Sequence, residues 1–162
     1  MDPSHIQDVT IRAAVITVST SRNEKSDSSG EMIKSLLADS GIKISFYRVI
    51  SDDIEVIRRT FLTVLEDCNC IIIDGGTGIT HDDCTIEAIK PLLDKEMDGF
   101  GEIFRIKSLE DVGTRAVLSR AIAGITGGKV VFCIPGSLPA VTLAMKEIIL
   151  PEIRHILTHA SR

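Results

Sequence analysis

The chain has 162 residues, 44% of them hydrophobic, with a net charge of −5 and a pI near 5.3. One domain over 1–162 is the expectation, long enough to bury a core. The acidic balance, with no Trp, one Tyr and five Phe, argues against a general nucleic-acid or membrane-surface partner, which needs a basic face and stacking rings.

No apolar run reaches the ~18 residues of a membrane span, and Met1–Thr10 lacks a signal peptide's apolar stretch. The expectation is a cytoplasmic protein whose four cysteines stay reduced. Cys68 and Cys70 are not followed by a second pair, so no zinc framework is readable, and Cys70 and Cys133 read as small apolar fillers in strands.

Residues 1–9 read as a loose lead-in. Ile11 to Ser19 is a near-continuous branched apolar run, suited to a central parallel strand buried on both faces. Thr20 to Gly30 is polar and Ser-rich, either a surface loop or a hydroxyl-lined lip over a phosphate at the strand's carboxyl end. Ser28-x-x-Glu31 fits a capping box for a helix carrying Met32, Ile33, Leu36 and Leu37 that stops at Gly41. Lys43 to Ile50 predicts a second strand. In Ser51-Asp52-Asp53, one residue caps a helix running to about Asp67 with Ile54, Ile57, Phe61, Val64 and Leu65 inward. The other acid is free to face the same cleft as Asp83.

Residues 71–88 organise the chain. Ile71, Ile72 and Ile73 end a buried strand, Gly75, Gly76 and Gly78 form a small-residue turn, and Thr85 to Ala88 begin a helix. Such strand–glycine loop–helix units place ligands at the carboxyl ends of strands, where glycines admit close backbone approach and amides and a helix N-terminus favour an anion. Asp82 and Asp83 beside an anion imply an intervening cation, often Mg²⁺. The loop is neither a P-loop nor a full dinucleotide fingerprint, since no Gly-Lys-Ser/Thr follows and His81 stands at the third glycine position. A plain tight turn is the competing reading.

Beyond the loop, Pro91 breaks a short helix. Met97 to Gly113 holds a short helix between glycines, with Phe100 and Phe104 packing in the core and Glu102 paired with Arg105. Thr114 to Arg120 predicts another short helix. Ala121–Thr126 and Lys129–Ile134 flank Gly127-Gly128 as a hairpin. After Pro135-Gly136-Ser137 comes a long helix kinked at Pro151. His155 and His159, at i and i+4, read as a solvated helix end rather than a metal pair, for want of an acidic or Cys partner. The pattern predicts a three-layer α/β/α sandwich on a mainly parallel mixed sheet with one C-terminal antiparallel hairpin.

These motifs together resemble the molybdenum cofactor biosynthesis MoaB/MogA family over about residues 11–157. They are Val-Ser-Thr-Ser-Arg from Val18 with Asp27-x-Ser29-Gly30, Ser51-Asp52-Asp53, Gly75-Gly76-Thr77-Gly78 with Asp83-x-Thr85-x-Glu87-Ala88, Gly99-Phe100-Gly101-Glu102, Leu118-Ser119-Arg120 and Pro135-Gly136-Ser137. The Gly-Phe-Gly-Glu-Ile-Phe-Arg run is closer to MoaB. The resemblance implies a molybdopterin-binding fold, trimeric or, for MoaB types, hexameric, that transfers AMP from ATP to the molybdopterin phosphate with Mg²⁺ and releases pyrophosphate.

It implies catalytic roles for Asp52 and Asp83, with Asp83 the metal ligand. It places Ser19, Asp27, Ser29, Gly30, Gly75, Gly76, Thr77, Gly78, Pro135, Gly136 and Ser137 at the substrates. Contact with other enzymes of the pathway is a further expectation. A non-catalytic pterin carrier and an unrelated nucleotide sensor are the rival readings. Three positions depart from the family's habit: Asp74 for Thr, Asp82 for a basic or neutral residue, and Leu138 for Pro.

Overall fold

The computed structural model describes residues 9–162. Except for Val9, the lead-in expected over 1–9 lies outside them. Alternating side chains on the central strands feed two cores, one on each side of a single sheet. Strand β1 (Arg12–Val18) sends Ala13 and Val15 to one face and Ala14, Ile16 and Val18 to the other. Strands β3 (Cys70–Asp74) and β6 (Lys129–Ile134) divide their residues the same way. Strands buried on both faces read as continuous apolar runs, which is why these are legible in the sequence. Cys70 and Cys133 are fully buried in them, as expected of apolar fillers.

The remaining strands are β2 (Lys43–Ile50), β4 (Lys95–Glu96) and β5 (Ile122–Thr126), and the sheet order is β2-β1-β3-β6-β5-β4. Pairs β1–β2, β1–β3 and β3–β6 are parallel, while β5 runs antiparallel to β6 and to β4. The expected hairpin is present, and β4 extends the antiparallel side by a two-residue edge the sequence pattern does not show.

Helices α1 (Ser28–Asp39), α4 (Asp98–Val112), α5 (Leu138–Ala144) and α6 (Leu150–Ala160) cover one face, and α2 (Ile54–Val64) and α3 (Thr85–Ile89) the other. Strand β1 leads to the first layer and β3 to the second, so their loops part at the carboxyl end of the sheet. This is a topological switch point, the place where open α/β sheets bind ligands.

Several local expectations need correction. The α1 cap is Asp27, whose carboxylate accepts from the Gly30 amide at 3.1 Å, and not Ser28, the first helical residue. Helix α4 is one 15-residue helix containing Gly99 and Gly101, rather than a short piece between glycines. A Cβ at Gly101 would strike the Ala121 carbonyl oxygen, so close packing sets the glycine there. Arg105 donates to the Ala121 carbonyl at 3.3 Å instead of pairing with Glu102.

Residues 114–120 form a 3₁₀ turn over Gly113–Leu118. Pro151 sits in the first turn of α6, directly after a π turn over Met145–Ile149. The helical chain from Leu138 runs through that turn into α6 without a break, and the wider π turn sits where the proline ring and missing N–H interrupt the regular ladder. Phe100 packs at 5.2 Å on Phe132 in the core, as expected.

Candidate active site

The loops after β1, β2, β3 and β6 meet at the switch point. Gly75 and Gly76 have φ of +93° and +65°, a conformation L side chains rarely adopt. A Cβ on Gly75 would strike the Val18 carbonyl, and one on Gly136 would lie 3.1 Å from the Gly75 Cα, so the two loops close on one another here. Thr85 fastens the turn from the α3 side, its amide donating to the Gly76 carbonyl at 2.9 Å and its hydroxyl to the Gly75 carbonyl at 2.8 Å. Arg120 fastens the far end: its Nε donates to the Gly78 carbonyl at 2.8 Å, and its guanidinium pairs with Glu87. With the carbonyls held inward, the Gly76 and Thr77 amides donate to no protein acceptor among the described residues.

Two hollows open on either side of this loop. The first, about 370 Å³, is lined by Gly76, Thr77, Gly78, Asp83, Ser119, Pro135, Gly136 and Ser137, with Phe104, Ala116, Leu118 and Leu143 as an apolar wall. The second, about 610 Å³, is lined by Ser19, Thr20, Ser21, Arg22, Asp52, Asp82, Gly75, Gly76 and Gly136. Both sizes suit small ligands. Gly76 and Gly136 belong to both. Asp52 and Asp83 thus line adjoining hollows, on opposite sides of the glycine loop, rather than one cleft.

The two acids are held by the same device. Asp52 Oδ2 accepts the amide and the hydroxyl of Thr20, both at 2.8 Å. Asp83 Oδ2 accepts the amide of Thr80 at 2.9 Å and its hydroxyl at 2.7 Å. Asp53, next to Asp52, is the α2 cap and accepts from Val56 at 2.9 Å. Burial alone would lift the Asp83 carboxyl, but hydrogen bonds from Thr80 and the Gly78 amide and the Arg120 charge outweigh it and hold the group below its usual value. Cys84 is no ready nucleophile, because partial burial and the surrounding acids push its thiol up.

Among the described residues no group of three or more His, Cys, Asp or Glu converges on one point. Mg²⁺ is ordinarily held by one or two carboxylates together with substrate phosphates and water, and Asp52 and Asp83 are the carboxylates that could hold one here. The five-residue α3 carries only a short dipole, which leaves the loop amides and Arg22 as the groups an anion would meet, and the Arg22 guanidinium also reaches Ser29, the Gly136 carbonyl and, at 3.8 Å, Asp27.

Asp27, Ser29 and Gly30 line neither hollow. They form a buried floor with Thr17, Tyr47 and Asp74. Thr17 Oγ1 lies 2.6 Å from Asp27 and 2.8 Å from Asp74, and Ser29 Oγ 3.1 Å and 2.6 Å from the same two carboxyls. Two hydroxyl protons serve four contacts, and the Gly30 amide, the Tyr47 hydroxyl and Arg22 add their donors on the Asp27 side, so a proton taken up here completes the set around Asp74. Asp74 takes that proton as pH falls through about 6. Burial, with the Asp27 charge adding to it, lifts its pKa to about 6, against the lowering pull of Ser29 and Thr17.

For Asp27, burial is outweighed by bonds from Thr17, Gly30, Tyr47 and Ser29, which hold it low. Asp74 is fully buried and lines neither hollow. Ser137 caps α5, with the Ala140 amide 3.4 Å from its hydroxyl, while still lining the first hollow. Sequence reasoning assigned no role to Arg22, Arg120, Thr20 or Thr80. Arg22 and Arg120 were legible only as members of quoted motifs.

A family model described as a probable molybdopterin binding domain matches residues 14–155. The chain is similar to molybdenum cofactor biosynthesis protein B of Bacillus cereus, 49% identical over 149 residues, covering 90% of this chain and 88% of that protein. It is similar to a crystal structure of a molybdenum cofactor biosynthesis protein B, with a TM-score of 0.90 and 46% identity over 95% of this chain and 98% of that one. The tungsten cofactor synthesizing protein MoaB of Pyrococcus furiosus is also similar, with a TM-score of 0.85 and 42% identity over 96% and 100% of the two chains.

Proposed function

We propose a function from one premise: the chain belongs to the molybdopterin-binding MoaB/MogA family. Its place is in molybdenum cofactor biosynthesis, and its reaction is the transfer of AMP from ATP to the phosphate of molybdopterin, with release of pyrophosphate. The observation that carries this reading is the pair of hollows sharing Gly76 and Gly136. A transfer between two anionic substrates needs two seats that touch at the reacting phosphates. A carrier or a nucleotide sensor needs only one.

The attacking phosphate is already anionic, so the work is alignment and charge neutralisation. The free amides of Gly76 and Thr77 receive phosphate oxygens. Arg22 supplies a cation on the serine-lined side, and the apolar wall of the first hollow takes a flat ring system. Asp83 is the carboxylate that would hold Mg²⁺, and the ion would supply neutralisation of the triphosphate charge. Asp52, through Thr20, fixes the lip from Ser19 to Arg22 against the loop. Asp82 lines the same hollow.

We further propose a homo-oligomer, trimeric or hexameric. Ile103, Ile106, Leu109, Val112, Val117 and Leu118 expose apolar side chains along α4 and the turn after it, with Ile106 65% and Val117 81% exposed. Light scattering on eluted protein reads the subunit number. No helix among the described residues is long and apolar enough to cross a membrane.

The reaction is tested by mixing protein, molybdopterin, Mg²⁺ and labelled ATP. Pyrophosphate release that requires both the pterin and Mg²⁺ supports the transfer. Pterin binding without release identifies a carrier, and ATP binding indifferent to the pterin identifies a sensor.

A further inference from the structure

At the end of the sheet away from the glycine loop, α6 packs its last turn on the Gly127-Gly128 hairpin turn, with the Ala160 carbonyl 3.1 Å from where a Gly128 Cβ would stand. His155 and His159 lie on the exposed side of that helix, one turn apart. We propose that they form a two-histidine chelate for a divalent transition metal of the Cu²⁺ or Ni²⁺ kind.

The first support is geometric. The Nε2 atoms face each other at 3.0 Å, and the ring centroids are 4.7 Å apart at an interplanar angle of 68°. A metal about 2.05 Å from both nitrogens subtends an angle of roughly 95°. That is the cis angle of square-planar or octahedral coordination, which Cu²⁺ and Ni²⁺ adopt and tetrahedral Zn²⁺ does not. Rings aimed at such a shared apex have centroids roughly 4.7 Å apart, whereas a head-on N–H···N pair at the same nitrogen spacing holds them roughly 5.3 Å apart. The observed separation is that of the shared apex.

The second support is Glu152, one turn earlier, whose Oε2 lies 3.3 Å from His155 Nδ1. It supplies the acidic partner that the spacing of the histidines alone does not reveal. A carboxylate there keeps the proton on Nδ1 and leaves the Nε2 lone pair for a metal. With no third protein ligand among the described residues, water completes the shell. The adjoining hollow of about 540 Å³, lined by Asp94, Ile125 and Arg162 among others, has room for it. Because the chelate spans one turn of α6, a bound metal also resists fraying of the turn that rests on the hairpin.

The test is titration of the full chain with Ni²⁺ by calorimetry and with Cu²⁺ by electron paramagnetic resonance. The expected result is one tight equivalent, a Cu²⁺ signal split by two nitrogens, and a raised Tm with Ni²⁺. His155→Ala and His159→Ala are each expected to weaken Ni²⁺ binding at least tenfold and to lose the two-nitrogen splitting, and Glu152→Gln to weaken it less. His5 and His81 remain in every variant, so background binding cancels in the comparison. Ni²⁺ binding unchanged in His159→Ala, or a Cu²⁺ signal from a single nitrogen, overturns the proposal. Both readouts are independent of Mg²⁺ and of pyrophosphate release, so failure here leaves the proposed reaction standing.

Discussion

Two pairs of aspartates occupy one end of the sheet and are handled in opposite ways. Asp52 and Asp83, on the rim, each receive an amide and a hydroxyl from a threonine of their own. Asp27 and Asp74, in the floor, must share the hydroxyls of Thr17 and Ser29 between them. A carboxylate with private donors keeps its charge and is available to a cation. In the floor Asp27 also has the Gly30 amide and the Tyr47 hydroxyl to itself, whereas the Asp74 side chain meets the shared hydroxyls of Thr17 and Ser29, so Asp74 is the one that holds a proton more tightly. The rim keeps its charge, and the floor takes up a proton as pH falls through about 6.

The largest expected effect breaks the rim. Asp83→Asn keeps the hydrogen-bonding shape and removes the charge, so pyrophosphate release should fall about 10²-fold or more, about 2.7 kcal/mol of barrier, with little change in Tm. Near-normal turnover would remove Asp83 from the reaction.

Asp74→Asn addresses the floor. Its pKa rises from 3.8 to about 6 on folding, so the folded state favours its proton. The stabilisation is complete below pH 3.8 and is lost as pH rises through about 6. Urea unfolding of the unaltered chain should therefore lose on the order of 2–3 kcal/mol from this group between pH 4 and pH 7. The Asn variant should lack that slope. The lowered Asp27 acts with the opposite sign and below pH 4, outside this window.

Arg120→Gln frees the Thr77 and Gly78 carbonyls and should raise the KM for ATP about tenfold, with a smaller fall in kcat because it also removes the positive charge beside Asp83. The smallest effect is expected from Thr20→Val, which takes one of two donors from Asp52 and should cost about 1 kcal/mol in kcat/KM. Thr80→Val does the same to Asp83, and a difference between the two variants would rank the two acids.

The sheet's centre was readable because β1, β3 and β6 are branched apolar runs, and the loop because Gly75 and Gly76 need positive φ. The rest depended on distant partners. Asp52 and Asp53 are adjacent and alike, and only the backbone direction entering α2 gives the cap to Asp53 and the lip to Asp52. Ser28 offers the sequence pattern of a cap, yet Asp27 takes that place while also meeting Thr17 and Tyr47, which come from other strands. At Asp74, where the family carries Thr, an added charge could meet the ligand or face away; parallel register places it beside Thr17, one strand over, and that pairing turns it inward. Strand β4 is too short for any periodicity. The glycines of α4 read as breakers because the Ala121 carbonyl that requires Gly101 lies in another element.

The account stands on two anionic substrates meeting above the Gly76 turn. Phosphorus NMR of a quenched mixture of protein, Mg²⁺, ATP and molybdopterin reads that meeting directly. The predicted result is a new phosphoanhydride pair, coupled to each other and carrying both AMP and the pterin phosphate, absent with Asp83→Asn. A spectrum showing only ATP and untouched molybdopterin, from protein that binds both, contradicts it.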